Sequence, residues 1–259
     1  MKKIFLIAIV AMVSVAVFAS AAPESASDLD YVKNKGTLVV GITDFAPMDY
    51  QNASGQWIGF DADMAKAFAE SLGVKVEFVE INWDNKILEL NGKSIDCIWN
   101  GMTLTDEVKA AADCSKAYMN NAQIVVVPAA KAASCNSVDA CKGLQFAVEA
   151  GSAGEDMAKE YGFSYIPVID QATALQEVAA KTADAAIIDS LMAAAMVGEG
   201  TGFSQLAYTV ALNSEEYGVA FRKGSNLVAA FNAFFDASIK DGTAEKIATQ
   251  YGVQAALIK

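Results

Sequence analysis

Short apolar runs alternate with amphipathic stretches along nearly the whole chain, and the alternation predicts strands and helices in turn. Residues 38–42 read as a strand that runs into the polar turn 43–48. A helical stretch follows at 59–70, then a strand at 74–79 and a short helix at 83–90. A third apolar run, 95–99, ends in Asn100-Gly101-Met102-Thr103. After residue 121 come a strand at 123–127 and a polar connector, and then the pattern starts again. It runs strand 144–148, turn 149–154, helix 155–161, strand 165–169, helix 173–180 and buried strand 184–189. The chain returns at 216–224 and closes with a long amphipathic helix, 226–240, and a last helix, 244–251. This order predicts an α/β architecture with mostly parallel sheets flanked by helices. Polar residues at the ends of such strands are where open α/β sheets hold ligands.

The first residues change the picture of where the protein works. Met1-Lys2-Lys3, an apolar run over 4–18 and Ala19-Ser20-Ala21 form a basic region, an apolar core and a small-residue cleavage site. Residues 1–21 are therefore expected to be a signal peptide cut after Ala21, the alternative being a retained N-terminal anchor. No cysteine stands near the cut, so the mature terminus is not expected to carry lipid. The chain has 259 residues and a formal net charge of −12. Lys2 and Lys3 leave with the leader, so the mature chain is more acidic still. Such a surface excludes nucleic acid and anionic lipid as partners, because phosphate binding needs clustered Lys and Arg. No second apolar run is long enough to span a bilayer, so stable membrane insertion after cleavage is not expected.

Histidine is absent, which removes histidine-based triads and the commonest zinc sites. The four cysteines lack C-x-x-C spacing, and no metal or other cofactor is expected. Cys135 and Cys141 sit close together in the polar connector, where export would permit a short-loop disulfide. Cys97 and Cys114 read as small buried thiols, with pairing between them left open.

From 38 to 252 the order of elements and the strand-end residues resemble the polar amino-acid branch of the bacterial extracellular solute-binding proteins, the soluble receptors of ABC importers. The resemblance implies a two-lobed type II periplasmic binding protein with two crossing strands as hinge. It implies a first lobe of 27–121 and 216–259, a second of 122–215, a monomer in the periplasm, and an ABC permease as partner. It also implies a small amino-acid-like ligand in the cleft, and no enzymatic activity.

The resemblance carries roles onto particular residues. Asp44 and Phe45 follow the first strand, and an aromatic ring there would pack on the ligand, the other reading being a core phenylalanine. Trp83 would line the cleft and Trp99 would pack in the core, although both could be core. Asn100, Gly101, Met102 and Thr103 match a segment offering backbone and side-chain hydrogen bonds to an α-amino acid, with Thr103 supplying a hydroxyl. Ser152 and Ala153 open a helix whose free N–H groups suit a carboxylate; Ser152 also suits a plain N-cap. Asp189 matches the aspartate that accepts from the ligand's α-ammonium, a charge-assisted bond. Asp61 and Asp63 read as structural, with Asp61 placed to cap the helix and Asp63 suited to its dipole.

Val108 breaks the family's pattern. That position is commonly an arginine that grips the ligand's α-carboxylate bidentately, and valine has no donor. The chain's only arginine is Arg222. Cys114 and Ala117 also replace an expected phenylalanine and proline. Lys86 and Lys109 are the nearby cations. Two rival classes remain open: a ligand-free or signalling relative, and a dehydratase-like enzyme using carboxylates such as Asp44 or Asp189 as acid or base.

Overall fold

The structure, a computed structural model, describes residues 27–259. The expected leader at 1–21 lies outside those residues. Helix α1 (Asp28–Lys35) leads into strand β1 (Thr37–Ile42), the small hairpin β2 (Tyr50–Gln51) and β3 (Trp57–Ile58), and helix α2 (Phe60–Leu72). Then come β4 (Lys75–Glu80), α3 (Lys86–Asn91), β5 (Cys97–Ile98), α4 (Asp106–Ala111) and β6 (Asp113–Cys114). The chain crosses over through β7 (Met119–Asn121) and builds β8 (Gln123–Pro128), β9 (Gln145–Glu149), α5 (Ala153–Glu160), β10 (Ser164–Val168) and α6 (Gln171–Ala180). It continues with β11 (Ala185–Asp189), α7 (Ser190–Met196) and β12 (Leu206–Ala211). It returns through β13 (Glu215–Tyr217) to β14 (Ala220–Phe221), α8 (Leu227–Lys240) and α9 (Thr243–Gln250).

Two five-stranded sheets result, in the orders β4-β1-β5-β14-β6 and β10-β9-β11-β8-β12. Each is parallel except for one strand: β14 in the first and β8 in the second. These two odd strands occupy the same place in their sheets for the same reason. Each is entered directly from a crossing segment, so the chain arrives from the opposite end of the sheet. The crossings themselves, β7 and β13, pair antiparallel and join the two lobes.

The apolar runs are buried on both faces, as parallel strands covered by helices must be: Val125, Val126 and Val127 in β8 and Ala185–Asp189 throughout are buried. The first lobe's core is aromatic. Trp99 is fully buried, with its ring 4.9 Å from Phe231 and 6.4 Å from both Phe68 and Tyr118.

Several sequence expectations change. The short helix begins as a tight 3-10 turn, Trp83–Asn85, before α3. Residue 61 does not cap α2: Gly59 holds that position without a side-chain bond, and Asp61 lies in the first turn, fully buried. Its carboxylate accepts from the Tyr118 hydroxyl at 2.7 Å and from the Gly101 N–H at 2.6 Å. It is structural, as read, but it braces a loop of the cleft. Cys97 in β5 is a buried free thiol, whereas Cys114 in β6 is a free thiol that is only half-buried, and α1, α4, α7 and β12 carry patterns too short or mixed to stand out. Cys135 and Cys141, expected as a disulfide, are two free thiols here, both buried in one apolar cluster of the second lobe. Burial and contact with Cys135 push the Cys141 thiol up to about 11.

Candidate ligand cleft

The C-terminal ends of β1, β5, β9 and β11 all open onto the space between the lobes. A cavity of about 230 Å³ lies there. Every residue singled out from the sequence for ligand contact borders it: Asp44 and Phe45 after β1, Trp83 before α3, and Asn100, Gly101, Met102 and Thr103 after β5. Ser152 and Ala153 at the start of α5 and Asp189 at the end of β11 complete the set. Val108 borders it too, so the position of the missing cation is part of the same wall. Trp83 is 7 % exposed and faces the cavity, whereas Trp99 is in the core.

Most of the polar side chains have already committed their protons. Asn100 donates to Thr43 Oγ1 at 2.7 Å and accepts from the Thr43 N–H at 2.8 Å. The Thr103 hydroxyl donates to Glu215 Oε1 at 2.8 Å, so what it offers a ligand is its lone pairs. Ser152 donates to the Glu149 carbonyl at 2.7 Å and accepts from the Glu155 N–H at 3.2 Å, the geometry of an N-cap. What α5 still presents is main-chain N–H groups of its first turn. Gly101 has φ +55°, and a side chain there would strike the Phe45 ring. The glycine therefore lets Phe45 close against the loop.

Asp189 is 4 % exposed and serves as the anchor of the hinge. Its Oδ1 accepts from Tyr217 at 2.7 Å, from Gln123 at 3.0 Å and from Asn121. Its Oδ2 accepts from Gln171 alone among the described residues, which leaves acceptor capacity on that oxygen. Burial, and then the nearby Glu215, push its carboxyl up to about 7.

Two residues that sequence reasoning passed over, Glu149 and Gln171, and one it named without placing, Lys86, belong to the same wall. Glu149 ends β9, is 4 % exposed, and has an Oε1 with no hydrogen-bond partner. Burial, then Asp189 and Asp170, push it up to about 8. A charged residue closing an apolar parallel strand was the available signal. Gln171, at the start of α6, both accepts from the Asp189 N–H at 2.8 Å and donates to its carboxylate. Lys86 was noted only as a nearby cation. Its Nζ lies 5.0 Å from the centre of the Trp83 ring and donates to the Gly151 carbonyl at 2.7 Å. Burial lowers its pKa, against the field of Glu149, Glu107, Asp84 and Asp156. The single arginine lies elsewhere: Arg222 pairs with Asp28 at 3.1 Å and donates to the Ile95 carbonyl at 2.7 Å. Lys109, next to the missing cation, does not border the cavity. Among the described residues, no cluster of His, Cys, Asp and Glu is placed to hold a metal ion, and no helix is long and apolar enough to cross a membrane.

The sequence profile of the bacterial extracellular solute-binding proteins, family 3, matches residues 38–254. The chain belongs to that family. The receptor is 29 % identical over 252 residues to the L-cystine-binding protein TcyJ of Escherichia coli (strain K12), covering 94 % of each chain. It is 29 % identical over 254 residues to the arginine-binding extracellular protein ArtP of Bacillus subtilis (strain 168), covering 95 % of this chain and 96 % of that one. Its fold matches the crystal structure of the ancestral amino acid-binding protein AncCDT-1, a precursor of cyclohexadienyl dehydratase. That match has a TM-score of 0.80 and 34 % identity, over 87 % of this chain and 99 % of that one. The receptor therefore has the two-lobed type II binding-protein fold.

Proposed function

We propose that this receptor works in the periplasm, takes up an amino acid or a related small amine-bearing ligand between its lobes, and delivers it to an ABC importer. The observation that carries the reading is the convergence of strand-end residues from both lobes on one acidic cavity, with Asp189 at its base. The relatives are themselves named for cystine and arginine binding. The first lobe comprises 27–121 and 216–259 and the second 122–215. They close on the ligand about β7 and β13, and the closed monomer docks on a permease. Contacts that exist only when both lobes touch ligand drive that closure. Phe45 and Trp83 pack on the ligand body, Asp189 accepts from its amine, and the first turn of α5 with the 101–103 loop takes the place of the arginine clamp. Export removes residues 1–21 and links Cys135 to Cys141.

A binding role is favoured over catalysis because the relatives are named as binding proteins. The neighbour that preceded a dehydratase keeps the enzyme reading as the one to test against. Native mass spectrometry of freshly purified protein separates the readings. A retained small amine supports the receptor. Its turnover on incubation supports the enzyme, and neither ligand nor turnover supports a relative that has lost transport.

A further inference from the structure

The cavity wall holds a buried acid, Glu149, that has Gln171 beside it as a side-chain hydrogen-bond partner and one oxygen left without any. Glu149 ends β9 beside β11, whose last residue is Asp189, and parallel pairing of Ala186 with Ala147 sets the two carboxyl groups at neighbouring strand ends. Glu149 Oε1 is buried and unpartnered, and Asp189 Oδ2 has spare acceptor capacity. Neither group forms an ion pair with Lys or Arg among the described residues. A buried, unpaired acid costs stability unless something supplies hydrogen bonds and charge. The charged groups that act on Glu149 are Asp189 from β11, Asp170 from the turn before α6, and Lys86 from α3. Of these only Lys86 is positive, and its ammonium is turned to main-chain carbonyls. The other cation on the wall, Lys159, pairs with Glu155 at 3.2 Å.

The hydroxyls point the same way. Thr103 and Ser152 have given their protons to Glu215 and to a main-chain carbonyl, so they meet a ligand as acceptors. The wall at Val108 offers no donor at all. An interior rich in acceptors and acids, with its single loose cation held to carbonyls, suits a group that brings several N–H bonds and a positive charge.

We propose that Glu149 is a specificity-determining contact which, with Asp189, shares the N–H groups of one cationic head on the ligand, a guanidinium or primary ammonium, so that a ligand carboxylate is not required. The proposal rests on the receptor reading above and deepens it. It also explains how the cleft dispenses with the arginine. Recognition shifts from the carboxylate end of the ligand to its cationic end. When the cation enters, Glu149 ionises and its proton leaves to solvent, since the new positive charge favours the carboxylate.

Titration calorimetry with L-arginine, agmatine and L-glutamine tests this. Arginine and agmatine carry the same guanidinium with and without a carboxylate, and glutamine is a neutral side-chain control. Arginine and agmatine are expected to bind within about tenfold of each other and at least about tenfold tighter than glutamine. Repeating the titration at pH 7 in buffers of different ionisation enthalpy should show roughly one proton released per cation bound. Glu149→Gln should lose about tenfold or more on both cationic probes, much less on glutamine, and most of the proton release. Unchanged affinity in Glu149→Gln overturns the proposal. Binding of arginine with none of agmatine also overturns it, because the carboxylate is then essential. Absence of proton release in the wild-type protein does so without relying on any variant. If the wild-type protein binds none of the three probes, the proposal falls, while the receptor reading is still decided by the ligand retained in native mass spectrometry.

Discussion

Lys86, carried on α3 of the first lobe, donates to the main-chain carbonyl of Gly151 in the second lobe at 2.7 Å. The lobes meet at this seam. Gly151 has φ +71°, and a Cβ on it would lie 2.8 Å from the Asp84 Cα. Backbone cannot yield there as a flexible side chain would.

Gly151→Ala is therefore expected to hold the lobes apart. The left-handed backbone alone costs about 1 kcal/mol for a side chain, so melting temperature should fall by a few degrees. Ligand affinity should fall by about tenfold or more, because closure itself is obstructed. Calorimetry and small-angle scattering read the two effects. A variant that closes and binds like the parent would refute the seam.

Val108 sits 5 % exposed among Ile81, Trp83, Ile98 and Met102 at the cleft wall. Val108→Arg should restore a carboxylate partner and strengthen binding of at least one standard α-amino acid by roughly tenfold, a hydrogen bond to a charged group contributing about 1.5–3 kcal/mol. It should also lower the melting temperature, since the arginine stem replaces a packed valine. If the parent already binds an amino acid at sub-micromolar affinity and Val108→Arg changes nothing, Lys86 or the start of α5 is the working clamp. Lys86→Met should then abolish binding if Lys86 is that clamp, and leave it if α5 is.

Burial raises the carboxyls of Glu149 to about 8 and of Asp61 and Asp189 to about 7. Their unfolded values lie near 4, so the folded state binds more protons than the unfolded chain between those limits. Stability is then greatest at or below the unfolded values and is lost as pH rises through 7 and 8. Thermal melts of ligand-free protein should show the melting temperature falling from pH 5 to pH 8. Glu149→Gln should flatten the upper part of that fall. A melting temperature that rises over the range would mean these carboxyls are ionised in the folded protein.

Cys135 and Cys141 share one apolar cluster and lie in contact. Peptide mapping without reductant of protein recovered from the periplasm should find them linked. Two free thiols in freshly exported protein would refute the bridge.

N-terminal sequencing of the exported protein should begin at Ala22, if the leader is cut as its small-x-small site directs. A product that still carries Met1 would show a retained anchor instead.

Local pattern alone determined the α/β class, the main strands and helices though not α1, α4, α7 or β12, and the polar strand ends that such sheets turn to a ligand. Apolar periodicity is set by which face a residue buries, and that is written within a few neighbours. Periodicity did not single out Asp44, Phe45, Trp83, Asn100 and Asp189 for the ligand; the resemblance to the solute-binding family did, by matching them to positions that line its cleft. The tertiary structure alone decided what those groups have left to offer. The Thr103 proton goes to Glu215, 112 positions away, and Asp61 is not a cap because it reaches Gly101, 40 positions on. Glu149 looked like the first residue of a turn. It became a buried acid only when β10 and β11 packed on either side of it and Asp189 came alongside. Burial and hydrogen-bond commitment are sums over neighbours distant in the chain, and no local spacing records them.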